Sequence, residues 1–126
     1  MKRTVFAFVA IILTFGICVL GLNTLIKTCE EMTVHLEELS KLAREKDVDS
    51  TIEKATSVVS LWHDTHGKIE AFVPHEETDE LEEIINSLPI YAKQGNMERL
   101  EERTEMAIIR LNHIIKNEKP LLSNIF

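Results

Sequence analysis

From Thr4 to Leu22 the chain carries nineteen consecutive residues without a charge, TVFAFVAIILTFGICVLGL. As an α-helix rising ~1.5 Å per residue, this stretch is roughly 28 Å long, close to the ~30 Å hydrocarbon core of a bilayer. It predicts a transmembrane anchor that meets the lipid bilayer through residues 4–22. Lys2 and Arg3 precede it, so the positive-inside rule puts the N-terminus in the cytoplasm and the bulk of the chain outside, a single-pass cell-membrane protein. Two parts follow: 1–22, the basic start plus the span, and 23–126, an extracytoplasmic unit.

A cleaved signal peptide is the competing reading. Its apolar region is shorter, and a small-x-small site closes it; after Ile17 the chain reads CVLGLNTLIKTCEE, which offers no such site. Bulky Ile17 also stands where a lipoprotein signal before Cys18 wants a small residue. The sequence favours an uncleaved anchor.

Charge narrows the outer part. Of 14 Lys and Arg, two precede the span; the other 12 face 21 Asp and Glu, a net charge of −9 beyond residue 22. Nucleic acid and anionic headgroups repel such a surface. Cys18 and Cys29, eleven residues apart on one helix, stand roughly 16 Å apart at ~1.5 Å per residue, beyond disulfide reach. Cys29 is read as a packed free thiol, with pairing to the Cys29 of a second copy as the alternative.

The outer part reads as helix almost throughout. Leu25, Cys29, Met32, Leu36, Leu39 and Ala43 form one stripe that continues the span without a Gly or Pro after Leu22, which predicts a first helix from about Thr4 to about Lys46. Asp47-Val48-Asp49-Ser50 supplies a break, with a Ser50/Glu53 capping box or an Asp47 or Asp49 cap. The second stripe is Ile52, Ala55, Val59, Trp62, His66, Ile69 and Val73, ended by Pro74. A third helix, from about Glu76 to Gln94, turns Leu81, Ile84, Ile85, Leu88, Tyr91 and Ala92 inward, with Pro89 expected to kink or restart it. Gly95-Asn96 breaks the chain again. The fourth helix presents Met97, Leu100, Thr104, Ile108, Leu111 and Ile115, and Pro120 is expected to stop it; the apolar tail Leu121–Phe126 is expected to pack on the bundle or a partner. A faint repeat at a spacing of 49 residues sets Met32, Leu36, Leu39 and Ala43 on Leu81, Ile85, Leu88 and Ala92, and Asp47-Val48 on Asn96-Met97. The fold class is therefore all-α: a transmembrane helix continuous with a small antiparallel bundle of about four helices, two αα-hairpins.

Chemistry is sparse. His63 and His66, with Glu70 a turn later and His75 beyond the helix end, are the only metal candidates worth naming, and weak ones. No H-E-x-x-H pattern exists and no second helix carries a matching E-x-x-H. His66 falls on the packing stripe, and His35 and His113 flank the seams of helices one and four. The run Glu76–Glu83 holds six carboxylates in eight positions; it lacks the spacing and glycine of a calcium loop and suits a solvated helix start. No nucleophile motif or phosphate loop occurs. Catalytic residues, cofactor and bound metal are all read as none, and Trp62 as a core residue.

The MKR start with its apolar span, the acidic Thr28-Cys29-Glu30-Glu31, Trp62 with its apolar helix end, His75-Glu76-Glu77 with Asp79-Glu80, and the closing Leu122-Ser123-Asn124-Ile125-Phe126 together make the chain similar to domain of unknown function family 4363. The resemblance covers nearly the full chain and implies a short single-pass helical protein of spore-forming, Clostridium-like bacteria, with no assigned activity. Gly67 and Pro89 inside helices depart from it. The leading functional expectation is a non-enzymatic interaction protein or accessory subunit of a membrane or envelope assembly, with a protein partner or its own copies. The alternative is an extracytoplasmic ligand or metal sensor that signals through a partner; a metal-dependent enzyme would rest on His63, His66 and His75 alone.

Overall fold

The computed structural model describes residues 1–125, with side chains through residue 120. Four helices account for nearly all of it: α1 (Lys2–Arg44), α2 (Val48–Glu70), α3 (His75–Lys93) and α4 (Met97–Ile125). The connections between them are three or four residues long, which forces neighbouring helices to run antiparallel. Around the bundle, α1 packs on α2 and α4, and α3 packs on the same two. Cross-helix pairs set the register: Lys54 Nζ lies 2.6 Å from Glu38, Arg110 2.5 Å from Glu80, and the Ser40 hydroxyl donates to Glu105 at 2.9 Å.

The inward stripes follow the 3.6-residue period. Leu25, Cys29, Met32, Leu36, Leu39 and Ala43 of α1 are buried, as are Leu81, Ile84, Ile85, Leu88 and Ala92 of α3. In α2 the buried set is Thr51, Ala55, Val58, Trp62 and Ile69, with Val73 beyond the helix end. Ile52, Val59 and His66, assigned inward from sequence, are only half-buried. The helix is rotated slightly, and Thr51 goes inside because its hydroxyl bonds the Asp47 carbonyl of its own first turn. Thr33, Thr78 and Thr104 are buried by the same device, donating to Cys29, His75 and Leu100. A hydroxyl satisfied within its own helix enters a core without an orphaned donor. On α4, Ala107 and Ile114 complete the stripe, while Met97 and Ile115 are half-buried against it.

The α1–α2 and α3–α4 turns are copies at the spacing of 49 residues. Lys46 and Gly95 both have positive φ, 56° and 71°. Lys46 N–H donates to Ala43 and Gly95 N–H to Ala92, at 3.2 and 3.1 Å. One residue on, the Asp47 carboxylate accepts from Ser50 N–H at 3.3 Å and the Asn96 amide oxygen accepts from Arg99 N–H at 3.1 Å, each capping the next helix. Asp47 is thus the cap, not Ser50, which lies inside α2. The sequence repeat is a repeated hairpin turn.

Of the proline expectations, a restart at Pro89 and a stop at Pro120 are corrected. Pro89 neither restarts nor divides α3, which runs unbroken to Lys93. Pro120 does not stop α4, which continues to Ile125. An α-helix tolerates a missing amide where neighbours hold the backbone, and at Pro120, an exposed position, the unbonded carbonyl a turn earlier is open to water. The packing expected of the tail Leu121–Phe126 lies outside the described side chains.

Candidate functional site: the apolar span and its junction with the bundle

The N-terminal half of α1 leaves the bundle behind. Phe6, Phe8, Ile11, Ile12, Leu13, Ile17 and Leu20 are each more than half exposed, and no residue of the most apolar window of this helix is buried. α1 is the one helix, among the described residues, long and apolar enough to cross a membrane. Thr14, in the middle of the stretch, and Thr24, just beyond it, bond within their own helix: Thr14 donates to Ala10 and Thr24 to Leu20, both at 2.8 Å. In lipid, where no water is available, such internal bonding is required.

The junction is built on Gly21. A Cβ placed there would overlap the ring of Phe72, which lies in the α2–α3 turn. Glycine costs a helix interior about 1 kcal/mol relative to alanine, and here it admits a close aromatic neighbour. Leu22 then packs on the core edge, and Leu25 is the first fully buried residue of the bundle. The span passes into the packed unit with no break in helix.

The histidines are not gathered into a site. His63 is exposed, and its ring stands edge-on to that of His66 with centroids 6.3 Å apart. His66 Nδ1 lies 2.9 and 3.2 Å from the carbonyl oxygens of His63 and Trp62, so this nitrogen is engaged by its own helix. His75 opens α3 at the surface. His35 Nδ1 accepts from Lys54 Nζ at 2.9 Å, and His113 stands 3.1 Å from the Asn117 amide nitrogen. Among the described residues no group of three His, Cys, Asp or Glu side chains is placed to hold a metal ion.

Cys29 is free and fully buried. Burial, reinforced by the charge of Glu30, pushes its thiol up to about 12, so it is a packed, protonated side chain. The alternative pairing with a second copy's Cys29 is corrected: a sulfur enclosed on all sides cannot reach another chain. The acidic run is a solvated helix start, in which Glu76 and Glu77 occupy the first turn of α3 and Glu80 pairs with Arg110.

Two features escaped the sequence reading. One is the Gly21–Phe72 contact, for which the only signal was a glycine inside an apolar run. The other is a shallow groove of about 330 Å³ between α3 and α4, lined by Glu77, Met106, Ile109, Arg110, His113 and Ile114. Ile109 is 65% exposed beside buried Ile108, and only the rotation of α4 decides which of the two faces out.

No curated protein and no solved structure matches the chain. The family model described as Domain of unknown function (DUF4363) matches residues 19–125, beginning two residues before Gly21 and covering α1 from residue 19 onward together with α2, α3 and α4. The chain belongs to the DUF4363 family.

Proposed function

We propose that this protein is a non-catalytic, membrane-anchored helical bundle held outside the cytoplasmic membrane, working through protein contacts as an accessory subunit of a membrane, envelope or sporulation assembly. The observation that carries the reading is the single helix α1, which passes from an exposed apolar span into the packed core without interruption. The large apolar residues from Val5 to Leu20 stand exposed, Val19 aside, and burying them in hydrocarbon recovers about 25 cal/mol per Å² of apolar surface. A core helix would be covered by its own chain, and this window is not. A signal peptide cut at the end of the span would remove residues 19–22, which the family match includes and which hold the Phe72 contact.

A continuous helix also fixes orientation. From Asn23 to Arg44 the helix extends the bundle roughly 33 Å from the membrane at ~1.5 Å per residue. No glycine or proline in this stretch gives it a hinge. The bundle is thereby presented to partners at a set height and angle. Glu38, Glu80 and Glu105 are tied to neighbouring helices, and His35 and His66 are engaged by Lys54 and by the His63 carbonyl, which supports a bundle built to hold its shape for contacts.

The test has two parts. Alkaline carbonate extraction of native membranes is expected to leave the full-length chain in the pellet; its release into the soluble fraction refutes the anchor. Capture of the tagged chain from mildly solubilised membranes is expected to recover a stoichiometric membrane protein; recovery of the chain alone, as a monomer, refutes the accessory role.

A further inference from the structure

The α2–α3 turn reads Ala71-Phe72-Val73-Pro74, four residues without a charge between Glu70 and His75. Its side chains divide in two directions. Val73 is 6% exposed and closes the end of the core, whereas Phe72 remains 38% exposed, and Ala71 and Pro74 are exposed as well. Phe72 is not a loose surface residue. Its ring lies against Gly21, close enough that no larger side chain fits there without displacement. Gly21 is the next-to-last residue of the apolar stretch Thr4–Leu22, which the polar pair Asn23-Thr24 follows. A helical stretch of that length matches the ~30 Å hydrocarbon core closely, so Gly21 falls at the boundary between acyl chains and headgroups. The ring of Phe72 is held at the same depth.

We infer that the α2–α3 turn is seated in the membrane interface, with Phe72 and its flanking Ala71 and Pro74 inserted among the lipids beside the span as a second point of attachment. This rests on the anchored reading of α1 and goes beyond it. The occupant of the exposed face of Phe72 is the bilayer, because that face is continuous with the exposed apolar surface of the span. Apolar and aromatic side chains partition favourably at this depth. The charges around the turn limit how far it enters: Glu76 and Glu77 lie in the first turn of α3 and Lys68 in the last turn of α2. Their placement keeps the helices in water and leaves only the turn in contact with lipid. The unbroken helix sets the height of the bundle and its angle to the span, but span and bundle together can still tilt and turn in the bilayer. A second contact across the bundle end holds both upright and fixes their rotation.

The experiment places single tryptophans in the full-length chain, with Trp62→Phe as background, reconstituted in phosphatidylcholine vesicles. The acyl chains carry bromine near the headgroup or near the methyl end, and emission reports the depth of each probe. Phe8→Trp reports the span, Phe72→Trp the turn, and Val48→Trp the opposite end of the bundle. Ala71→Trp reads the same turn with Phe72 intact, in case substitution of the packed ring disturbs the fold. The expected result is loss of emission at 72 and 71, stronger with bromine near the headgroup, with loss at 8 and none at 48. Loss at 8 with none at 71 and 72 overturns the seated turn and leaves the anchor standing. No loss at 8 overturns the anchor and the inference with it. Loss at 48 equal to that at 72 overturns the upright seat, since the bundle then lies along the surface.

Discussion

Trp62 is the largest fully buried side chain, and its indole N–H has no hydrogen-bond partner among the described residues. This combination makes an unusual prediction for Trp62→Phe. The substitution removes volume on the order of 40 Å³, which at about 24 cal/mol per Å³ costs about 1 kcal/mol for the cavity. Reduced apolar burial adds about another 1 kcal/mol. Against this, the change deletes a buried, unpaired donor that costs about 1–3 kcal/mol. The expected net effect is within about 1 kcal/mol of the unsubstituted protein. Trp62→Ala deletes the same N–H, but its cavity is several times larger and outweighs that gain, and the expected loss is about 3–5 kcal/mol. At about 4–8 °C per kcal/mol for a unit of this size, the two variants separate by tens of degrees in melting temperature. Thermal unfolding of the full chain in detergent, followed by far-ultraviolet circular dichroism, measures both. If Trp62→Phe melts as low as Trp62→Ala, the indole N–H is bonded in the folded protein and the reasoning is wrong.

Other outcomes follow from named contacts. Cys29, with its thiol pushed up to about 12 by burial, resists iodoacetamide at pH 8 in the folded protein and reacts only after unfolding; mass spectrometry of the alkylated chain checks this, and rapid native modification of Cys29 counts against it. The twin turns give paired expectations. Asp47→Ala and Asn96→Ala each cost about 0.5–2 kcal/mol through loss of a cap, whereas Lys46→Gly stabilises by up to about 1 kcal/mol because its φ of 56° suits glycine; unequal signs for the two cap variants in thermal unfolding would break the equivalence. Glu38 is held below its ordinary value of 4.5, first by its hydrogen bond to Lys54 and then by that lysine's charge. Its folded-state value is depressed, so the stabilisation is present above the unfolded value and is lost as pH falls through the folded one. A carboxyl NMR titration should show a midpoint under 4.5 that rises in Lys54→Met; a midpoint at or above 4.5 in the unsubstituted protein refutes the clamp.

Most of the architecture was legible because helices announce themselves by period. Leu25, Cys29, Met32, Leu36, Leu39 and Ala43 all proved buried, since an unbroken three-four spacing has only one face to turn inward. The prolines misled. A local rule gives Pro89 and Pro120 the power to break a helix, but helices held by neighbours, or open to solvent at the affected carbonyl, absorb the missing bond. Thr51, Ser40, Thr78 and Ala107 were invisible as core residues because hydropathy marks them polar or small. The burial of Thr51, Ser40 and Thr78 depends on where each hydroxyl finds an acceptor, and that of Ala107 on how closely two helices approach.

The candidate site divides the same way. A helix long and apolar enough to cross a membrane was plain in nineteen uncharged residues, whose length and composition are one-dimensional properties. The histidine cluster was a matter of spacing, and the fold did not gather it: His66 turns its Nδ1 to its own helix and His75 opens the next.

The sequence by itself determined the helices, the apolar span and the even spacing of the two hairpin turns, because each depends on residues within a few positions of one another. Only the tertiary structure decided that Gly21 faces Phe72, that Thr51 and not Ile52 points inward, and that Cys29 is sealed. Each of these is set by the rotation and approach of helices joined through distant turns. A rotation of a fraction of a turn exchanges a buried neighbour for an exposed one, and no local pattern records it.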